Sequence, residues 1–279
     1  MAGNSIHPGR GVISKAFSLL EAFRPANREL SLNQLARRTE LPISTVYRTA
    51  NELVENGALE RVDGGGYRVG LRLWEIGSLS DRATSMLTIV VPFMQDLYQV
   101  THETVQLAIL DGQDALFIEK IYGTRSAMVR STRGGRLPLH CTGVGKVLLA
   151  YAPQEFVDGV IERGLERYTR YTMTTAHELN RALAEIRRTG VAFQREEMDL
   201  GLVSVAAPLV DADGTVVAAL SVVVRSSRYQ VRQLAPAVQT AAASASREMR
   251  EQGVHGVSAD GLLRMLRLGH SGEGGAGAE

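Results

Sequence analysis

Apolar residues recur one helical turn apart in the stretch Leu41 to Gly57, LPISTVYRTANELVENG. Val46, Ala50, Leu53 and Val54 fall on one face, and Ser44, Tyr47, Arg48 and Asn51 fall on the opposite one. Pro42 is placed to open this helix and Gly57 to close it in a left-handed cap. Most amphipathic helices only pack. Here, however, the polar row holds side chains of the kinds that reach base edges and phosphates. The neighbouring pattern decides between the two readings.

Upstream, Ile13, Ala16, Phe17 and Leu20 form a stripe that predicts a helix ending near Arg24-Pro25. Ser31-Leu-Asn-Gln34 is a capping box, in which the serine hydroxyl accepts from the Gln34 amide while Gln34 reaches back. With Leu30 and Leu35 as a hydrophobic staple, it predicts a second helix over 32–39. A short turn through Glu40-Leu41-Pro42 then leads into the first-described helix, which is a helix-turn-helix arrangement. Ala58–Val62 and Tyr67–Gly70 read as two strands joined by Asp63-Gly64-Gly65-Gly66, whose glycines permit positive φ and a close approach to a phosphate backbone. Arg61 and Arg68 flank that tip; a merely solvated hairpin is the plain alternative.

Beyond Asp81 the pattern becomes mixed. Met86–Val100 predicts a helix interrupted at Pro92. Strands are predicted at Thr104–Ile109 and Ala115–Tyr122, around a turn at Asp111-Gly112-Gln113-Asp114, with a further one at Ala127–Arg130. Leu137–Thr142 leads into a helix over Gly143–Ala150, and Glu155–Arg163 is another. Thr175-Ala-His-Glu178 is a second capping box, opening a helix that Gly190 stops. Strands at Leu202–Val210 and Thr215–Val224 precede a last helix over Val231–Gln252. Residues 1–11 read as a flexible arm and 253–279 as a disordered tail, with Leu262–Leu268 its one helical turn.

Composition narrows the classes. A chain of 279 residues has room for two domains, and 44% hydrophobic content suffices for packed cores. The single cysteine, Cys141, excludes an internal disulfide framework and fits a reducing cytoplasm. The N-terminus shows no signal peptide, and no apolar run reaches the ~20 residues of a membrane helix, so a cytoplasmic protein without membrane contact is expected. A net charge of +1 decides nothing, because a nucleic-acid footprint is local.

Each motif that hints at catalysis meets a physical objection. Gly143-Val-Gly145-Lys146 resembles a phosphate-binding loop, but His140 stands where the first glycine belongs and Val147 replaces the magnesium-holding hydroxyl. Its small residues are better suited to bring backbone amides to a ligand at a helix start. His140-Cys141 would point to opposite faces of a strand and cannot form an attacking pair. Glu196-Glu197-x-Asp199 lacks a nearby His or Cys, and His7, His102, His177, His255 and His270 show no ligand spacing. No enzyme, cofactor or metal is expected; an enzyme with an appended DNA-binding module and an architectural protein without ligand are the rivals.

Residues 12–80 resemble the DNA-binding half of an IclR-type transcriptional regulator. The likeness is carried by SKAFSLL, by LSLNQLARRTELPISTVYRTANELVENGALER and by GGGYRVGLRLWEIGS. Further on, LPLHCTGVGKVLLA (137–150) and the stretch 190–224 resemble that family's effector-binding domain. The resemblance implies an α+β chain: a winged helix-turn-helix over 12–70, a linker helix over 71–82 that pairs subunits through Leu71, Leu73, Trp74, Ile76 and Leu79, and a GAF-like mixed α/β effector-binding domain over 83–252. A ligand-responsive regulator of a catabolic or metabolic operon is therefore expected, a homodimer or tetramer on double-stranded operator DNA. Ser44, Thr45, Tyr47, Arg48 and Asn51 would face bases, with Arg37, Arg38, Arg61 and Arg68 on phosphates. The effector, a small organic carboxylate or aromatic metabolite, would meet His140, Thr142, Gly143, Val144, Ser204, Ser221 and Val223. For Ser204 and Ser221 a hydrogen bond to a neighbouring group is the plain alternative.

Overall fold

The computed structural model describes residues 11–24, 27–79, 81–227 and 231–256. The arm ahead of Gly11 and the turn expected at Leu262–Leu268 lie outside them. The chain divides after Asp81 into two compact units.

The first unit runs α1 (Val12–Glu21), β1 (Glu29–Leu30), α2 (Leu32–Thr39), α3 (Ile43–Glu55), β2 (Leu59–Val62), β3 (Gly66–Val69) and α4 (Leu71–Ser78). Local chemistry sets these bounds. At α2, the Gln34 N–H donates to the Ser31 hydroxyl and the Ser31 N–H donates to Gln34 Oε1, so the capping box is complete. At the end of α3, the Gly57 N–H donates to the Val54 carbonyl and the Ala58 N–H to that of Leu53, with Gly57 at φ 72°. That is a Schellman cap. Leu19, Leu30, Leu35, Val46, Leu59 and Tyr67 form the small core. At about 1.5–3 kcal/mol per large buried side chain, this core holds three short helices that would not stand alone.

Two expectations change here. The buried face of α1 is Leu19, continued by Ala22 and Phe23, whereas Ile13 is 75% and Phe17 59% exposed. Tertiary packing thus buries residues outside the stripe read from the sequence, and leaves two of that stripe's members at the surface. The stretch 71–82 is also not one helix: α4 ends at Ser78, and α5 begins at Asp81.

The second unit holds α5 (Asp81–Thr101), β4 (Thr104–Asp111), β5 (Asp114–Ile121), β6 (Arg136–Pro138), α6 (Gly143–Ala150), α7 (Gln154–Glu162), α8 (Ala176–Thr189), β7 (Ala192–Arg195), β8 (Leu202–Val210), β9 (Val216–Arg225), a short 3-10 turn (Val231–Leu234) and α9 (Ala235–Glu251). Its sheet has the order β6-β5-β4-β9-β8-β7, every neighbour antiparallel. On one face α5 and α9 pack against Leu107, Val205, Leu220 and Val222. The other face carries α6, α7 and α8 over Phe117, Ala206 and Ala219.

Here too the structure corrects local expectation. Pro92 lies inside α5 without ending it. Proline costs a helix interior about 3 kcal/mol, but Met86, Ile89, Val90, Met94 and Leu97 are buried on both sides of it. Several such side chains outweigh one lost hydrogen bond. Ala127–Arg130 is not a strand; the edge strand is Arg136–Pro138. No helix among the described residues is long and apolar enough to cross a membrane.

Candidate functional site

The first unit presents α3 and the wing together. Ser44, Tyr47 and Arg48 are exposed, Thr45 and Asn51 half-buried, and Val46, Thr49 and Ala50 buried beneath them. The wing tip turns at Gly64 and Gly65, with φ of 91° and 84°; a side chain at either would be strained. One tie joins helix to wing: Arg61 Nη2 donates to Asn51 Oδ1 at 2.7 Å, while the guanidinium stacks over Tyr67.

The arginines divide. Arg37 and Arg48 make no side-chain hydrogen bond or ion pair with the described residues. Arg38 donates to the Ala22 carbonyl at 2.8 Å and so closes the end of α1. Arg68 pairs with Glu60 at 2.7 Å, and Glu60 also accepts from the Leu71 N–H that opens α4. The Arg68 partner holds the Glu60 carboxyl below its usual range. Of the expected phosphate contacts, Arg38 and Arg68 thus already serve the fold.

The second unit contains a cavity that opens to solvent on one side. Strand register builds its floor. Gln194, Ser204, Val223 and Thr104 stand side by side across β7, β8, β9 and β4, and Gln106 is paired with Ser221. Paired residues share a face, so five polar side chains interrupt an otherwise apolar sheet surface. The start of α6 forms one wall. The Thr142 hydroxyl accepts from the Gly145 N–H and donates to the Pro138 carbonyl. Gly143 and Val144, first in the helix, keep N–H groups for another acceptor. A Cβ on Gly143 would sit 2.6 Å from Ser204 Oγ; only glycine permits this approach.

Polar satisfaction on the floor is uneven. Gln194, with its amide oriented so that the oxygen accepts from the Glu197, Met198 and Glu196 N–H groups, turns its NH₂ toward Ser204. Ser221 Oγ is buried and has no hydrogen-bond partner. Leaving a hydroxyl unpaired costs about 1–3 kcal/mol, which a ligand oxygen would recover.

Thr142, Gly143, Val144, Ser204, Ser221 and Val223 all border this cavity. His140 does not. Its Nε2 lies 2.9 Å from the Glu166 carbonyl, and its ring neighbours Tyr168. Residues 139–142 form a turn rather than a strand, so the opposite-face argument for His140 and Cys141 does not apply to them. The cysteine is inert for another reason. Burial, then the nearby Glu197 charge, pushes its thiol up to about 12, and Sγ donates to Met198 Sδ.

Among the lining residues that the sequence did not assign to the site are Gln106, Gln194 and Arg130. Polar residues at alternating strand positions were the available signal for the first two. In the acidic run, Glu197 is paired with buried Lys146 at 2.7 Å, and Asp199 with Arg130 at 2.6 Å. Spacing also missed that His255 meets Asp211 and Asp213, their ligand atoms lying within 4.8 Å. Asp211 there accepts from the Asp213, Thr215 and Gly256 N–H groups, and His255 Nδ1 lies 2.8 Å from Asp213 Oδ2. This arrangement ties down a turn.

Comparison with known proteins agrees with both units. Residues 12–63 match the model of the IclR helix-turn-helix domain, and residues 82–247 match that of the bacterial transcriptional regulator IclR C-terminal domain. The Transcriptional repressor IclR of Escherichia coli K12 is 32% identical over 214 residues, covering 75% of this chain and 78% of its own. The HTH-type transcriptional regulator KdgR of the same organism is 30% identical, covering 85% and 92%. Among solved structures, an IclR homolog from Microbacterium hydrocarbonoxydans complexed with 4-hydroxybenzoate superimposes with a TM-score of 0.82 at 29% identity, covering 86% of this chain and all of that one. With a family model spanning more than half its length, the chain belongs to the IclR family of bacterial transcriptional regulators, DNA-binding proteins with an effector-binding domain and not enzymes.

Proposed function

We propose that this regulator is a cytoplasmic homodimer, or a tetramer of two such dimers, that represses a catabolic or metabolic operon until a small organic carboxylate or aromatic metabolite fills the cavity. Residues 12–70 are the DNA-binding domain, 71–82 the linker and 83–252 the effector-binding domain. The observation that carries the ligand half is the unpartnered, buried Ser221 hydroxyl beside Ser204 on a polar floor within apolar walls. A relative that is complexed with 4-hydroxybenzoate supports the same class of ligand. Pairing is supported by apolar side chains left exposed on α1 and α4. A two-fold dimer would take a near-palindromic site, with half-sites about one helical turn or its multiples apart.

On DNA, α3 enters the major groove. Ser44, Thr45, Tyr47, Arg48 and Asn51 address base edges; Arg37 and Arg61 take phosphates, and Arg68 joins them by exchanging Glu60. Replacing Arg48 with Ala costs about 1–3 kcal/mol and relaxes preference at one base position. Arg37→Ala weakens all sequences alike and lowers the salt slope by about 1. Titrations on operator and scrambled duplexes at several salt concentrations separate the two, and an unchanged operator affinity for Arg48→Ala removes that residue from the reading set.

The effector acts by binding one conformation of the protein better than another, with a coupling of about 1–3 kcal/mol. Ser204→Leu and Ser221→Leu fill the floor and abolish binding of a screened ligand while circular dichroism stays native. Calorimetry showing wild-type affinity in both variants would place the effector elsewhere.

A further inference from the structure

One ion pair stands where the cavity meets open surface. Arg130 Nε lies 2.6 Å from Asp199 Oδ1, and both residues border the inner cavity and the wider groove outside it. The Arg130 side chain is 64% exposed and that of Asp199 21%, whereas Ser221 is 1% exposed. The pair therefore marks the mouth and the serines the depth. Among the described residues that line the cavity, these two alone are charged.

The segment carrying Arg130 is fastened on either side of it. The Thr104 hydroxyl donates to the Ala127 carbonyl at 3.1 Å, Gln106 donates to the Ser131 hydroxyl, and Lys120 Nζ donates to the Ser131 carbonyl at 2.8 Å. The backbone is thus set, and the guanidinium at its end faces water. Half-exposed ion pairs contribute little and exchange readily. A guanidinium prefers a carboxylate, which it can grip through two parallel N–H donors.

We infer that Arg130 is the residue that reads the effector's carboxylate, and that Asp199 is a built-in competitor holding the same guanidinium when no effector is bound. This rests on the cavity being the effector site, and it gives the ligand a direction. The carboxylate lies at the mouth on Arg130, apolar atoms lie between, and an oxygen-bearing end reaches Ser221 and Ser204. Asp199, once released, turns to solvent. Acids are thereby chosen over neutral molecules of the same shape.

Calorimetry with the full chain and two probes of one shape, 4-hydroxybenzoate and neutral 4-hydroxybenzamide, tests this. The wild type binds the acid about tenfold or more tightly than the amide. R130Q removes that preference, R130K restores part of it, and D199N tightens the acid several-fold with the amide unchanged. An acid-to-amide ratio equal in wild type and R130Q, with binding still abolished by Ser221→Leu, overturns the role of Arg130 and leaves the cavity as the site. Failure of both probes to bind, or binding indifferent to Ser221→Leu, overturns the site and this inference with it.

Discussion

Lys146→Met lowers the stability of the second unit by about 3–5 kcal/mol, the cost of removing one partner of a buried ion pair. The Lys146 side chain is 1% and that of Glu197 6% exposed. Nζ donates to Glu197 Oε1 at 2.7 Å and to the Phe193 carbonyl at 2.8 Å. Without the ammonium, a carboxylate that also accepts from the Arg195 N–H is left buried with no cation. Its second oxygen, Oε2, is unpartnered already. Methionine nearly conserves volume, so the loss reports charge and not a cavity. Pairing the change with Glu197→Leu recovers most of the stability, because an apolar pair of similar size is often as stable as the ion pair. Urea denaturation of the two single variants and the double one measures this. A loss under about 1 kcal/mol, or a double variant no better than K146M, sinks the argument. The effect also reaches the cavity, since Glu197 precedes Met198 and Asp199 in its wall.

The second large effect lies on α4. Trp74 is 70%, Leu71 64% and Ile76 58% exposed in the single chain. A tryptophan at linker-helix spacing is expected to be buried, and a partner subunit would bury it. Trp74→Glu then yields a monomer by light scattering at micromolar concentration. Operator affinity falls by about 10²–10⁴, since the second half-site is no longer held at high effective concentration. Binding to an isolated half-site stays close to wild type, and so does thermal stability, because Trp74 contributes little to the core of its own chain. Glu75→Gln, one residue on, changes neither. A dimeric Trp74→Glu protein with full operator affinity would show that this face is not the pairing surface.

What the chain revealed in advance was local. The Ser31–Gln34 box, the Gly57 cap, the Gly190 stop and the hairpins around Gly112 and Gly214 each depend on a few adjacent residues, and each stands where the pattern put it. Elements whose existence depends on a distant partner were not legible. β1 is two residues long and exists because Leu30 pairs with Tyr67; β7 is four, set by its register with β8. Continuity of α5 through Pro92 is likewise a property of the sheet beneath it. At the cavity, serines amid valines were visible as anomalies. Gln106 and Gln194, and above all Arg130, gained meaning only when the register brought remote positions into one row. His140 looked as suitable as its neighbours until the turn aimed its ring toward Glu166.

That row has a consequence for how such proteins diverge. Along β8, Ser204 looks into the cavity while Val203 and Val205 look into the main core; along β9, Ser221 and Val223 alternate in the same way with Leu220, Val222 and Val224. The pleat therefore writes two texts on one strand. One face can be rewritten, a hydroxyl to a methyl or an amide to an acid, while the other keeps the sheet folded. Descendants of one ancestor can come to sense different metabolites through a few floor substitutions, with no new backbone and little loss of stability.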